Sequence, residues 1–148
     1  IVTLDADLQN DPKDIDLLLS NYTNDRNLKL VSGIRKNRKD NFIKIFSSRI
    51  ANKIRSLYLR DTCPDTGCSL KVFDKNVIMN FEFFDGIHRF IPSLYEASGY
   101  KVLYINVNHR FRKYGKSNYG ISNRLFKGIR DLFKVKKIIK NNKNNNND

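Results

Sequence analysis

Apolar and polar positions along the chain fall into alternating runs. Ile1 to Leu4 is a short apolar stretch ending at Asp5, the pattern of a buried strand. Asn10-Asp11-Pro12 then predicts a helix start, a capping side chain followed by Pro at the first helical position. That helix carries Ile15, Leu18 and Leu19 on one face and ends near Tyr22. A strand is expected over Leu28 to Ser32, a charged loop over Arg35 to Asp40, and a helix over Phe42 to Leu59. In that helix Ile43, Phe46, Ile50, Ile54 and Leu57 recur at helical spacing.

Pro64-Asp65-Thr66-Gly67 has turn chemistry within a loop from Arg60 to Gly67. Cys68 to Phe73 alternates like a strand, and Lys75 to Phe81 reads as a short helix. A further helix is expected from about His88 to Ser98, with Pro92 in its first turns and Gly99 ending it. Lys101 to Val107 reads as a strand and Asn108 to Gly120 as a polar loop. Ile121 to Lys140 is a long amphipathic helix, and Asn141 to Asp148 an Asn-rich tail expected to be disordered. Alternating strands and helices predict an α/β layered fold. The first strand opens at Ile1, inside an apolar run, so the sequence reads as part of a longer fold.

Composition narrows the partners. The 148 residues suffice for one domain with a real core. Lys and Arg total 28 against 15 Asp and Glu, a net charge of +13 that attracts nucleic acid, anionic headgroups or phosphorylated substrates. No helix-turn-helix, RNP-type or zinc signature supports the nucleic-acid reading. Cys63 and Cys68 match no zinc or redox spacing and read as reduced thiols of a cytosolic protein. No apolar run approaches the roughly 20 residues that span a bilayer.

Candidate chemistry begins at Asp5-Ala6-Asp7-Leu8-Gln9. Two carboxylates stand two apart at the end of a strand, where open α/β sheets bind ligands. Such oxygens suit Mg²⁺ or Mn²⁺ held jointly with substrate phosphates. A D-x-D pair alone is more often a solvated turn, and the strand before it and capped helix after it bring the two readings level.

The segment VTLDADLQNDP resembles the metal and nucleotide-sugar motif of family 2 glycosyltransferases of GT-A fold. It is most similar to the branch containing dolichol-phosphate mannosyltransferase and polyprenyl-phosphate sugar transferases. The resemblance implies that Asp5 and Asp7 meet the donor diphosphate and a metal, with Gln9 as a further ligand. Three more segments match in order. In SGIRKNRKDNFIKIFSSRIANKI, Arg35 and Arg49 fall where the family holds the acceptor's lipid phosphate, a task that guanidinium forks suit. DTGCSLKVFDK and FFDGIHRFIPSL resemble the wall around sugar and acceptor. Asp65-Thr66-Gly67 would lie beneath the sugar, and Asp85 falls where many members keep a catalytic carboxylate. A phosphate acceptor is already ionised near neutral pH, so Asp85 is equally readable as a positioning group or a cap before His88. His88 and Arg89 are either structural or sugar-facing.

NHRFRKYGKSNYG matches the pattern Arg-x-x-Gly-x-Ser at Arg112, Gly115 and Ser117, a loop that in the family closes over the diphosphate. The Lys usual after Ser is Asn118 here, leaving Lys113 and Lys116 as the nearby cations.

The resemblance implies a partial Rossmann-like GT-A domain over residues 1–120, the nucleotide-binding half preceding it, and then a basic amphipathic helix over 121–140. In that helix Ile121, Leu125, Ile129, Leu132, Phe133 and Ile139 form an apolar stripe among basic residues, fitting either an anionic leaflet or packing on the sheet. The implied reaction is inverting transfer from a GDP- or UDP-sugar to a polyprenyl phosphate. Asp7, Arg112 and Asp85 would act on the reaction, at the cytoplasmic face of a membrane. Transfer to a glycan or another lipid, a nucleic-acid-binding role, and an inactive isolated piece are the alternatives.

Overall fold

A computed structural model of the chain describes residues 1–36, 42–110 and 121–145, without the side chains of Ile43, Lys44, 121–125 and 143–145. Four strands form one mixed sheet in the order β1-β3-β2-β4. They are β1 (Val2–Thr3), β2 (Leu28–Arg35), β3 (Lys71–Phe73) and β4 (Lys101–Val107). β3 runs antiparallel to both neighbours, β1 and β2, while β2 and β4 are parallel. β2 lies centrally and is buried along most of its length, as its near-continuous apolar run demands.

The two faces of the sheet carry two cores. On one, Val31, Val72, Leu70 and Val107 pack with Leu18 of α1 (Lys13–Asn24). On the other, Leu30 and Phe73 pack under four elements. These are α3 (Lys75–Ile78), a 3-10 turn (Ile87–Arg89), α4 (Ile91–Ala97) and α5 (Ile121–Asn145). Sheet and helices thus make the layered α/β arrangement read from the alternation.

Several expectations shift. β1 is the edge of the described sheet, paired with β3 alone, so Ile1, Val2 and Leu4 are exposed rather than buried. The third strand is only Lys71–Phe73, because Cys68 to Leu70 follow an irregular path tied to β2 by Gly33 N–H donating to Leu70 O at 2.9 Å. The helix expected from Lys75 to Phe81 stops at Ile78. The one expected from His88 is split: a 3-10 turn ends at Arg89 and α4 begins at Ile91, with Pro92 in its first turn.

The helix at the C-terminus runs to Asn145, past Lys140, so the Asn-rich segment read as disordered is helical that far. Its apolar stripe also divides. Ile139 enters the core and Leu132 packs against it, whereas Ile129 and Phe133 face outward; beside the stripe, Val135 and Ile138 are buried and Phe126 is exposed. The helix α2 (Phe42–Leu59) is present as read, but its stripe is outward: Phe46, Ile50, Ile54 and Leu57 are all exposed, Ile43 lies outside the described side chains, and Arg55 and Leu59 are the buried residues among those described.

Candidate functional site

The acidic turn from Asp5 to Asn10 is held at both ends by one residue, Ser69, just ahead of β3. Ser69 Oγ accepts from the Asp5 N–H at 3.0 Å and from Asn10 Nδ2 at 2.7 Å, and Ser69 O accepts from Thr3 Oγ1 at 2.8 Å. Within the turn, Gln9 N–H donates to Asp7 Oδ1 at 3.1 Å. Leu8 between them has φ +62°, a left-handed conformation unusual for a branched side chain, and it is exposed. Sequence reasoning missed Ser69, since an isolated serine ahead of a strand carries no periodic signal.

The same turn is joined to the start of the basic loop. Asn10 and His109 form an isolated antiparallel bridge, Arg110 N–H donates to Gln9 O at 2.9 Å, and Arg110 pairs with Asp11 at 2.5 Å. Asp14, buried at the start of α1, accepts from Asn108 N–H at 2.7 Å and from Asn108 Nδ2 at 3.1 Å. The chain therefore leaves β4 pinned against the Asp5–Asp11 segment. Arg112, Gly115 and Ser117 follow directly, and lie outside the described residues.

Asp5 and Asp7 with the Gln9 amide are hard oxygen donors, the chemistry that a Mg²⁺ or Mn²⁺ ion requires. Among the described residues, no three His, Cys, Asp or Glu side chains stand together to cage a metal. The donor set fits an ion completed by diphosphate oxygens, and it does not fit a metal site closed by protein alone. Beneath it lies Lys71, almost fully buried in β3, whose amine donates to Cys68 O. Burial pushes the Lys71 pKa down, against the opposing pull of Cys68, Cys63, Asp65 and Asp5. Both cysteines are free and buried, and burial raises their thiol pKa values.

Across the sheet end stands the turn 64–67. Arg35, the last residue of β2, forks onto Asp65: Nε to Oδ2 and Nη2 to Oδ1, each at 2.8 Å. Asp65 also accepts from the backbone N–H of Arg35 at 3.2 Å and of Gly67 at 3.1 Å. A Cβ at Gly67 would lie 2.5 Å from Arg35 Nη2, so a side chain there would displace the guanidinium. The guanidinium expected to hold a lipid phosphate thus rests on a protein carboxylate.

Arg49 is exposed on α2. It lines an open pocket of about 360 Å³ with Asn52, Lys53, Ser56 and the strand of loop from Asp61 to Pro64. Asn52 reaches the turn from the other side, donating to Pro64 O at 3.1 Å and accepting from Thr66 Oγ1 at 2.9 Å. Arg35 and Arg49 therefore border the same turn from two elements. Behind it, Asp61 is held by Arg55 at 3.0 Å and by Ser93 Oγ at 2.5 Å, so the loop is fixed from its buried side.

Asp85 is exposed and pairs with Lys127 of α5 at 2.5 Å, which lowers its pKa. It makes no cap: the residue opening the 3-10 turn is Gly86, with no side-chain cap bond. A carboxylate held ionised in this way is a weak base and suits a positioning or electrostatic task. His88 follows on the same turn. Its pKa is lowered by partial burial, then by Arg89 and Lys71, with Asp5 and Asp85 opposing.

No protein-family model matches the chain. It is 39% identical over 138 residues to a dodecaprenyl-phosphate galacturonate synthase of Rhizobium johnstonii, covering 91% of this chain and 40% of that protein. It is 33% identical over 119 residues to an undecaprenyl-phosphate 4-deoxy-4-formamido-L-arabinose transferase of an Enterobacter species, covering 80% of this chain and 36% of that protein. The corresponding transferase of Edwardsiella ictaluri is 31% identical over 121 residues, 82% of this chain and 37% of that protein. The mixed sheet with its acidic turn at a strand end is consistent with a partial GT-A arrangement, and the proteins the chain is similar to are family 2 glycosyltransferases. Within that family its relatives are the polyprenyl-phosphate sugar transferases, of whose length it spans about two fifths.

Proposed function

We propose that this chain forms the acceptor side of an inverting glycosyltransferase that moves a sugar from a GDP- or UDP-sugar to a polyprenyl phosphate. The observation that carries the reading is one juxtaposition. The acidic turn Asp5–Gln9 is stitched to the start of the basic loop at His109–Arg110, while the turn that Arg35 anchors through Asp65 begins at Pro64, which lines one open pocket with Arg49 of α2.

In this reading the lipid phosphate oxygen attacks the anomeric carbon from the face opposite the leaving group. The new C–O bond forms as the bond to the diphosphate breaks, and the nucleoside diphosphate leaves with the electron pair. Asp5, Asp7 and Gln9 would hold Mg²⁺ or Mn²⁺ with the diphosphate, and such an ion supplies Lewis-acid stabilisation of the leaving group. Arg112, Gly115 and Ser117 would meet the same group, with Arg112 offsetting its charge. Arg35 and Arg49 receive the acceptor phosphate, with Arg35 exchanging or sharing its Asp65 partner. Asp85 orients sugar or acceptor.

The exposed stripes explain how a lipid arrives. Phe46, Ile50, Ile54 and Leu57 of α2 and Phe126, Ile129 and Phe133 of α5 are outward, among exposed Lys53, Arg60, Arg130 and Lys137. The helices meet where Tyr58 and Phe133 pack edge to face at 5.6 Å. No helix among the described residues is long and apolar enough to cross a membrane. An apolar surface rimmed by cations suits lying on an anionic leaflet, and we place the protein peripherally at the cytoplasmic face. Arg49 then stands beside the lipid surface, where a polyprenyl phosphate headgroup is presented.

The test uses the full-length protein with Mg²⁺ or Mn²⁺, a panel of sugar nucleotides and a short polyprenyl phosphate. Nucleoside diphosphate release should depend on the lipid and disappear in Asp7→Ala. Release from no donor, together with tight salt-sensitive nucleic-acid binding, would replace this reading with a polyanion-binding one.

A further inference from the structure

α5 is strongly basic and holds a single acidic residue, Asp131. Its side chain is 4% exposed and accepts from Arg89 Nη2 at 2.8 Å. A carboxylate withdrawn from water is costly unless something specific holds it. Here the turn Asp85–Arg89 does so. Gly86 has φ +105°, and a Cβ there would lie 2.8 Å from both Arg89 Nη2 and Asp131 Oδ2. Any side chain at 86 would collide with the ion pair, so the backbone of this turn is folded directly onto it.

Phe84, Ile87 and Phe90 root the turn in the core. Asp85 and His88 are its exposed members, and the His88 ring lies within electrostatic range of Asp5. Lys127, Asp131 and Lys134 follow one another at spacings of four and three along one face of α5, meeting Asp85, Arg89 and Glu82 in turn. Of the three pairs, the central one alone has a buried carboxylate.

We propose that Asp131 is a positioning residue: through Arg89 it fixes the turn that presents Asp85 and His88. α5 then completes the site as well as contacting the membrane. This rests on the transferase reading above for what the turn does, and on geometry alone for how the turn is held.

The experiment compares the full-length protein with Asp131→Asn, Arg89→Gln, the double variant, and Lys134→Gln as a control on the same face. Amide hydrogen exchange reports the turn, and nucleoside diphosphate release gives kcat and KM. In Asp131→Asn, exchange over residues 82–90 rises on the order of tenfold while β2 and β3 keep wild-type protection. The value of kcat falls on the order of tenfold or more, with a smaller change in KM. The double variant is no worse than either single, and Lys134→Gln stays near wild type in both readouts. Unchanged exchange over 82–90, faster exchange across the whole core, or additive losses in the double variant would each overturn the assignment. If the wild type turns over no donor, the transferase reading falls, and the exchange measurement still decides the role of Asp131.

Discussion

Arg35 and Asp65 face each other as two planar groups joined by two hydrogen bonds of 2.8 Å, with side-chain exposures of 14% and 7%. The pair sits where β2 ends and the 64–67 turn begins, so it ties a central strand to the candidate acceptor site. Removing one partner of a buried pair strands the other charge, which costs about 3–5 kcal/mol. Asp65→Ala should lower unfolding stability by that amount in denaturant titration. A change under about 1 kcal/mol would mean that the guanidinium finds water or another acceptor freely.

Ser69 should matter to the donor more than to the fold. Its hydroxyl accepts from Asp5 N–H and Asn10 Nδ2, and these two bonds shape the acidic turn. Ser69→Ala removes the one acceptor of both bonds at a stability cost of about 1–2 kcal/mol. The expected signature is a raised KM for the sugar nucleotide, larger than the change in KM for the lipid phosphate. Equal changes in both would remove Ser69 from the donor side.

The outward stripes predict a membrane phenotype without a folding phenotype. Phe46 and Phe133 are 57% and 59% exposed. Phe46→Glu and Phe133→Glu should leave the melting temperature within a few degrees of wild type, since exposed substitutions change stability by about 0.5 kcal/mol or less. Co-flotation with anionic vesicles should drop strongly in each, and wild-type flotation should weaken as salt is raised. Flotation equal to wild type would detach these faces from lipid.

Acid should act visibly through Asp74. Its carboxylate accepts from Asn76 N–H at the start of α3 and pairs with Lys29 at 3.2 Å, and the backbone bond first and Lys29 second hold its pKa below 3.8. A folded-state pKa depressed in this way contributes stability that is fully present above the unfolded value and is lost as pH falls through the folded value. Thermal melts of wild type and Asp74→Asn should therefore differ at neutral pH and converge only once the pH has fallen below the depressed folded-state value. A gap that stays constant down to that pH would show that the carboxylate's charge contributes nothing.

The layers of the fold were legible because β2, β4 and α1 each carry their own periodicity. The acidic turn was legible because D-x-D between a strand and a helix start has a local signature, although the cap expected there is not made: α1 starts at Lys13, Pro12 stands at the cap position with no side-chain cap bond, and Asn10 turns to Ser69 instead. What escaped the sequence depends on contacts between distant segments. Ser69 meets Asp5 and Asn10 across about 60 residues of chain, and Asp131 meets Arg89 across 42. Neither has a spacing to detect, although a single acid in a basic helix was a signal available at Asp131. The stripe on α2 was read correctly as amphipathic. Which side it turned could not follow from spacing, because the apolar face is outward and Arg55, held by Asp61, is inward. The split of the α5 stripe has the same origin: Ile139 and Ile129 share a pattern, and only packing against α4 and the sheet separates them.

The most direct measurement asks where the sugar goes. The full-length protein is incubated with sugar nucleotide, a divalent cation and an equimolar mixture of a short polyprenyl phosphate and its dephosphorylated alcohol, and the lipids are analysed by mass spectrometry. The account predicts one sugar added to the phosphate lipid with loss of the whole nucleoside diphosphate, no product on the alcohol, and neither product in Asp7→Ala. Equal transfer to the alcohol, or transfer that survives Asp7→Ala, would contradict it.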